Sequence, residues 1–270
     1  MTDWAASLET IRIDRPDEGI VVATLHRPER LNAMNNTMFR EFEVLARRVD
    51  AEPATRVLVL TGAGRGFCAG YDLEDAEELP GLTAMGMLDQ QELAARGLSA
   101  LRGIKQPLIA AVNGAAAGGG LSLSLCADIR LASPAARFNA AFVRIGLSAG
   151  DLGASWLLPR LIGPARTAEI AYTGRIVGAE EAEAIGLVNR VVPADELLPE
   201  TLSMARAIVA NSPAGIQLSK RALQNNLEIG SYGAALELEN RGQALLTRGA
   251  DMAEALAAFK AKRAPQFTGA

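Results

Sequence analysis

The residues best suited to chemistry in this chain are glycines. Gly118, Gly119 and Gly120 follow the apolar, strand-like residues 107–112 and lead at once into a helix-compatible stretch that begins at Leu121. Glycines at a helix start let a ligand approach the backbone, because no Cβ stands in the way. The first N–H groups of that helix have no partner inside it, and the aligned peptide dipoles add partial positive charge there. A bound anion suits such a place, and so does the oxyanion of an attacked carbonyl. A second glycine-rich passage, residues 62–70, also follows a buried, strand-like run, 56–61. If the two strands are parallel neighbours, loops 67–72 and 113–120 end side by side, and one N–H from each converges on a single carbonyl oxygen. The plainer alternative is two tight loops packed on a sheet.

The string Gly62-Ala63-Gly64-Arg65-Gly66 invites comparison with a dinucleotide-binding fingerprint. That pattern needs a further glycine where Phe67 stands, and a helix that starts without delay. No nucleotide cofactor is expected.

Around these loops the pattern predicts an α/β protein. Residues 8–14 and 20–26 read as a hairpin across Arg15-Pro16-Asp17-Glu18-Gly19. Asn35 or Asn36 caps a helix carrying Met38, Phe39, Phe42, Leu45, Ala46 and Val49 at helical spacing, and Pro53 ends it. Residues 72–103 read as acidic surface followed by helix, broken near Pro80-Gly81. Passage 107–127 repeats the strand–loop–helix plan of 56–79, a strand follows at 129–132, and 138–151 is irregular. A helix is expected from Leu152, and helices dominate the remainder apart from a short strand over 187–192. The expected organisation is a core over 1–200 with a helical subdomain over 201–270.

Composition narrows the classes. A chain of 270 residues, 49% apolar and 21% charged, buries a core without disulfides. Its net charge of −4 lacks the basic footprint of a nucleic-acid binder. Cys68 and Cys126 lie far apart with no metal-ligand spacing, which suits a reduced, cytoplasmic chain without a metal. Residues 1–7 carry no basic-then-apolar leader, and no apolar run is long enough to span a membrane.

Several of these strings together resemble the enoyl-CoA hydratase/isomerase (crotonase) family. They are Leu25-His26-Arg27-Pro28-Glu29-Arg30-Leu31-Asn32-Ala33, Phe67-Cys68-Ala69-Gly70-Tyr71-Asp72-Leu73 and the glycine triplet. Further along come Cys126-Ala127-Asp128-Ile129, Pro159-Arg160-Leu161-Ile162-Gly163, Thr173-Gly174-Arg175, Ala184-Ile185-Gly186-Leu187-Val188 and Phe259-Lys260-Ala261-Lys262-Arg263. The resemblance implies a crotonase-like spiral of ββα units with a C-terminal helical trimerisation subdomain. It implies an acyl-CoA substrate, no cofactor beyond the coenzyme A that the substrate carries, and a homotrimer or dimer of trimers. Carried over by position, the N–H groups of Tyr71 and Gly119 form the oxyanion hole, beside Gly118. Glu29, Arg30, Leu31, Ala69, Asp72 and Leu73 lie along the ligand, and Arg30, Lys260, Lys262 and Arg263 face its phosphates, unless those cations simply form a solvated surface.

The departures matter as much. Hydratases of this family use a glutamate two residues after the glycine triplet, where this chain has Ser122. They use another four residues after a phenylalanine like Phe138, where this chain has Phe142. Neither side chain serves as a carboxylate acid or base. Asp151 is the candidate replacement. Its position relative to Pro159 resembles that of the catalytic aspartate in dienoyl-CoA isomerases, with one extra residue in the preceding loop. Its bland reading is an N-cap of the helix at Leu152.

Other residues carry less. Arg144 is read as a partner for Asp151, a contact for a substrate carboxylate, or a surface residue. His26 is read as structural, and Ser122 and Ser124 have no triad partner. Met85, Met87, Leu88 and Leu93 line an acyl pocket or belong to the core. The function expected is thioester-enolate chemistry, isomerase-like or atypical through Asp151 rather than ordinary hydration. The alternative is a catalytically silent acyl-CoA-binding oligomer.

Overall fold

The computed structural model describes residues 4–269, so the first three residues of the stretch expected to carry no leader, and Ala270, lie outside the described part. The first strands, β1 (Ile11–Asp17) and β2 (Ile20–Leu25), form the expected antiparallel hairpin. Helix α1 (Asn36–Ala51) starts where Asn35 accepts a 2.9 Å hydrogen bond from the Met38 N–H, satisfying one orphan donor of the first turn. Its apolar face buries Phe39, Phe42 and Leu45.

Beyond α1 the chain is built from repeated pairs of strands. β3 (Val57–Gly62) passes directly into β4 (Gly66–Cys68), then α2 (Leu73–Ala76) and α3 (Ala84–Arg102). β5 (Leu108–Val112) passes into β6 (Ala115–Ala117) and α4 (Gly119–Leu125). β7 (Ile129–Ala132) passes into β8 (Arg137–Asn139), then α5 (Ala154–Ile162) and α6 (Pro164–Thr173). In each repeat the longer strand joins one sheet and the short strand joins another. The first sheet runs β1-β2-β3-β5-β7, parallel after the hairpin, and the second runs β4-β6-β8 in parallel. This alternation is the spiral of ββα units. β9 (Ile176–Gly178) closes the second sheet antiparallel to β8, α7 (Ala179–Ala184) follows, and β10 (Arg190–Val191) closes the first beside β7.

The short strands β4, β6 and β8 replace what the sequence presents as loop or irregular chain. Each has only three residues, too few to display an alternating pattern.

The helical end is α8 (Leu197–Val209), α9 (Pro213–Asn226), α10 (Tyr232–Leu246) and α11 (Ala250–Ala261). Residue 200, where the expected core ends, lies within α8, whose Ala205 is buried in a cluster with Val57, Val59 and Ile109. α9 is tied to the body by a buried ion pair, Lys220 Nζ to Asp128 Oδ2 at 2.8 Å, and by Lys220 donating to the Gln106 carbonyl at 2.8 Å. No residue of α10 is buried, and on α11 Phe259 is 85% exposed.

Candidate active site

Pairing of β3 with β5, and of β4 with β6, brings the two glycine-rich passages together. Contact is backbone against backbone. A Cβ added to Gly120 would stand 2.0 Å from the Cys68 carbonyl oxygen, and one added to Gly70 would stand 2.8 Å from that of Ala117 and 3.6 Å from the Gly119 nitrogen. Gly70 also holds φ +107°, and Gly118 holds φ +52° with ψ −121°, conformations that side chains disfavour. Glycine is required at 70 and 120 for approach, and at 118 for conformation.

Hydrogen bonding decides which donors remain. Met34 bridges the loop in parallel fashion: its N–H donates to the Gly70 carbonyl at 2.7 Å, and the Asp72 N–H donates to its carbonyl at 2.8 Å. The Tyr71 N–H between them faces the other way. Gly119 is the first residue of α4, whose opening N–H has no partner inside the helix. Among the described residues, neither the Tyr71 N–H nor the Gly119 N–H donates to an acceptor of the chain. Leu152 closes one side, with its Cδ1 3.4 Å from the position of a Cβ on Gly119, and the Phe142 ring lies 3.8 Å from that of Gly118.

The donor loop is held from behind. The Asp72 carboxylate is buried, pairs with Arg27 at 2.7 Å and accepts from the Glu74 N–H at 3.1 Å, capping α2. It is thus engaged within the chain. The Tyr71 ring stacks on Phe39 with centroids 6.0 Å apart, and its hydroxyl takes a 3.1 Å hydrogen bond from Gln90, which also donates to Asn36 at 2.5 Å. Burial pushes the Tyr71 phenol up to about 12, so it stays protonated.

Asp151 lies beside this arrangement, and its placement corrects the capping reading. Leu152 at φ +47° and Gly153 at φ +84° turn the chain before α5 begins at Ala154. Gly153 occupies the cap position and no side chain caps the helix, because the intervening turn carries the Asp151 carboxylate away from the first N–H groups. Its Oδ1 instead accepts a 3.3 Å hydrogen bond from Gln91 Nε2. Burial raises its pKa above the ordinary carboxylate value, opposed by Gln91 and the Leu152 N–H. Ser122, fully buried, donates through Oγ to the Asp151 carbonyl at 3.2 Å. Ser122 thus anchors the loop that carries the aspartate.

Gln90 and Gln91 carry no motif, and sequence reasoning missed them. The one local signal is two adjacent amide side chains on a single helix. Remaining residues are less concentrated. Ala69 is half-buried, its N–H donating to the Leu31 carbonyl at 3.0 Å, while Leu73 is 74% exposed. Glu29 and Arg30 are exposed, and Arg30 pairs with Glu74. Lys260 and Lys262 are exposed at the end of α11. Arg144 packs on Gly174, with its side chain 3.1 Å from the position of a Cβ there, and among the described residues it makes no ion pair with Asp151. His26 is half-buried with its N–H on the Thr10 carbonyl at 2.7 Å, and Ser124 bonds the Leu121 carbonyl at 2.7 Å. Cys68 and Cys126 are buried thiols pushed up to about 12 by desolvation, and are inert near neutral pH.

Two cavities flank the site, neither walled by Tyr71 or Gly119. One of about 420 Å³ lies between the 140–150 loop and α6, and one of about 280 Å³ lies between α3 and α5. Met85 and Leu88, expected at an acyl pocket, are exposed instead, and α3 lines the smaller cavity further along, through Ala95, Leu98, Ser99 and Arg102. Among the described residues no acidic, histidine and cysteine cluster could hold a metal, and no helix is long and apolar enough to cross a membrane.

Stacked ββα units that bring two glycine-rich loops together over the start of a buried helix define an enzyme of the crotonase fold. The chain belongs to the enoyl-CoA hydratase/isomerase family, whose model matches residues 15–270. It is 43% identical to a probable enoyl-CoA hydratase of Mycobacterium bovis, over 98% of this chain and 95% of that one. It is 39% identical to the 1,2-epoxyphenylacetyl-CoA isomerase of Escherichia coli, over 94% and 96%. A crystal structure of a putative enoyl-CoA hydratase from Streptomyces coelicolor superposes with TM-score 0.93 at 35% identity, covering 97% and 95% of the two chains. The chain is accordingly a lyase or isomerase of this family.

Proposed function

We propose that the protein is an isomerase-type enzyme acting on acyl-CoA thioesters. The observation that carries this reading is the pair of unengaged N–H groups on Tyr71 and Gly119 beside the half-buried carboxylate of Asp151, the neighbouring Asp72 being held by Arg27. The thioester oxygen accepts from both N–H groups. Asp151 takes a proton from an acyl carbon, the C–H electron pair moves into the carbonyl as an enolate, and the same carboxyl returns the proton at another carbon. One acid/base completes that sequence, whereas adding water by the usual route needs a glutamate pair, and Ser122 and Phe142 stand at those positions. Two fixed donors in a site shielded from water are worth several kcal/mol to the enolate. Glu29, Arg30, Leu31, Ala69 and Leu73 flank the coenzyme A moiety, with Lys260 and Lys262 near its phosphates. No other cofactor takes part.

Purified protein given crotonyl-CoA is expected to show little loss of the enoyl absorbance, while a panel of unsaturated acyl-CoAs with a movable double bond shows isomerised products by chromatography. Hydration at ordinary hydratase rates, unaffected by Asp151→Asn, overturns the reading. Tight acyl-CoA binding without turnover across the panel favours the silent-oligomer alternative.

We also propose a homotrimer, or a dimer of trimers, located in the cytoplasm. Large apolar side chains are exposed at Val143, Ile145, Leu147, Tyr172 and Ile176, and at Leu245, Leu256 and Phe259 on the helical arm. Exposed apolar side chains of this kind are covered when subunits pack together. Sedimentation equilibrium is expected to give three or six times the chain mass, and a monomer mass refutes the assembly.

A further inference from the structure

The cavity between α3 and α5 ends on a cation that pairs with no acidic side chain among the described residues. Its walls are Ala95, Leu98, Leu152, Leu157, Trp156 and Arg102, enclosing about 280 Å³. Leu152 is shared with the candidate site, since its other contact is Gly119, and Asp151 precedes it. Gln91, Ala95, Leu98 and Arg102 recur along one face of α3 at helical spacing. The face therefore runs from Asp151, which Gln91 touches, to Arg102, about 16 Å further along the helix axis. A chain extending from the thioester past Leu152 would follow this apolar face.

Arg102 is half-buried, and its guanidinium makes no ion pair or hydrogen bond among the described residues. It lies over the Trp156 ring, 5.7 Å from the centroid, while Arg160 covers the same indole at 3.7 Å. The other charges in this quarter are Arg160, Lys220, Arg130, Asp128 and Asp50, and Asp50 accepts from the Lys105 N–H at 2.8 Å. Asp128 is already engaged by Lys220 and by the Leu108 N–H at 2.8 Å. The end of the cavity is thus an apolar wall carrying uncompensated positive charge, with planar donors that fit a carboxylate.

We propose that the cavity takes the distal end of an acyl chain that terminates in a carboxylate, so that the substrate is the monothioester of a dicarboxylic acid. This inference builds on the acyl-CoA reading above. The carboxylate accepts from the Arg102 guanidinium at the cavity end, the methylene chain lies against Ala95, Leu98 and Leu157, and Trp156 fixes the guanidinium plane.

The test compares full-length wild type, Arg102→Met and Arg102→Lys with matched thioester pairs, one ending in methyl and one in carboxylate, over a series of chain lengths. Turnover is measured for the unsaturated pair, and calorimetric binding for the saturated pair. At the best length the wild type is expected to favour the carboxylate by about tenfold or more, as a charge-assisted hydrogen bond allows. Arg102→Met brings the carboxylate-to-methyl ratio close to one, and Arg102→Lys keeps part of the preference. Equal handling of the pair by wild type, or a preference that survives in Arg102→Met, overturns the proposal while leaving the acyl-CoA reading intact. Failure of both thioesters to bind overturns the two together. Should Arg102→Met not fold, the wild-type preference and its reduction in Arg102→Lys decide.

Discussion

Asp151→Asn is expected to lower turnover by about 10²–10⁴-fold, the usual contribution of a positioned acid or base. The fold and the affinity for saturated acyl-CoA should be retained. Asparagine matches aspartate in shape and keeps an oxygen for the 3.3 Å hydrogen bond from Gln91, so the loop has no reason to move. What it lacks is a proton that can leave and return. The Ser122 anchor acts on the backbone carbonyl of 151 and is indifferent to the substitution. Turnover in the variant within tenfold of wild type would remove Asp151 from the mechanism.

The same substitution carries a pH signature with a definite sign. Burial raises the Asp151 pKa in the folded state. Between the ordinary carboxylate value and that raised value, the folded chain binds a proton that the unfolded chain does not. Stability therefore falls as pH rises through the window. Above it the wild type carries the full cost of a desolvated carboxylate, and below about pH 4 it carries none. Urea melts should show Asp151→Asn more stable than wild type at neutral pH, with the advantage vanishing in acid. The wild-type kcat/KM profile should show its acid limb displaced upward by the same shift, since the base must be ionised in the free enzyme. An inactive but stabilised variant is what a functional, energetically unfavourable carboxylate predicts.

Gly70→Ala is the second large effect. At φ +107° a Cβ costs conformational strain, about 1–3 kcal/mol. It also meets the Ala117 carbonyl oxygen at 2.8 Å, a backbone atom held in the β6 ladder that cannot swing aside. The donor loop must shift, and the neighbouring Tyr71 N–H shifts with it. Loss of one oxyanion donor lowers kcat by about 10²–10³. The expected result is a kcat loss of that size in a variant whose melting temperature drops but which remains folded at assay temperature. Gly242→Ala, on exposed α10 with nothing within 4 Å of the new methyl, is the control and should leave kcat unchanged. A Gly70→Ala enzyme with unchanged kcat would show that Tyr71 N–H does not act on the substrate.

Much of the scaffold was legible because its signals are local. The hairpin announces itself by two β-branched runs around Arg15-Pro16-Asp17-Glu18-Gly19, of which the first three residues extend β1, and α1 by its amphipathic spacing and a cap at Asn35 or Asn36. β3, β5 and β7 are apolar runs of the right length. Helix α5 starts two residues later than its sequence suggests. The pattern of apolar spacing extends back through Leu152, and nothing local reveals that Leu152 and Gly153 adopt left-handed backbone. That small difference converts Asp151 from a helix cap into a side chain bonded to Gln91.

The family, the two glycine loops and the absence of glutamates at 122 and 142 follow from the order of residues alone. These are matters of residue identity and order, and identity needs no coordinates. Which N–H groups stay unpaired was decided only by the tertiary structure, because that depends on Met34 bridging one side of residue 71 and leaving the other open. The pairing of Ser122 and Gln91 with Asp151 was decided there too, as was the meeting of Arg102 with Trp156. Each joins residues on separate helices or loops, and the register that brings them within hydrogen-bond or stacking distance is set by the whole packed core rather than by any local run of chain.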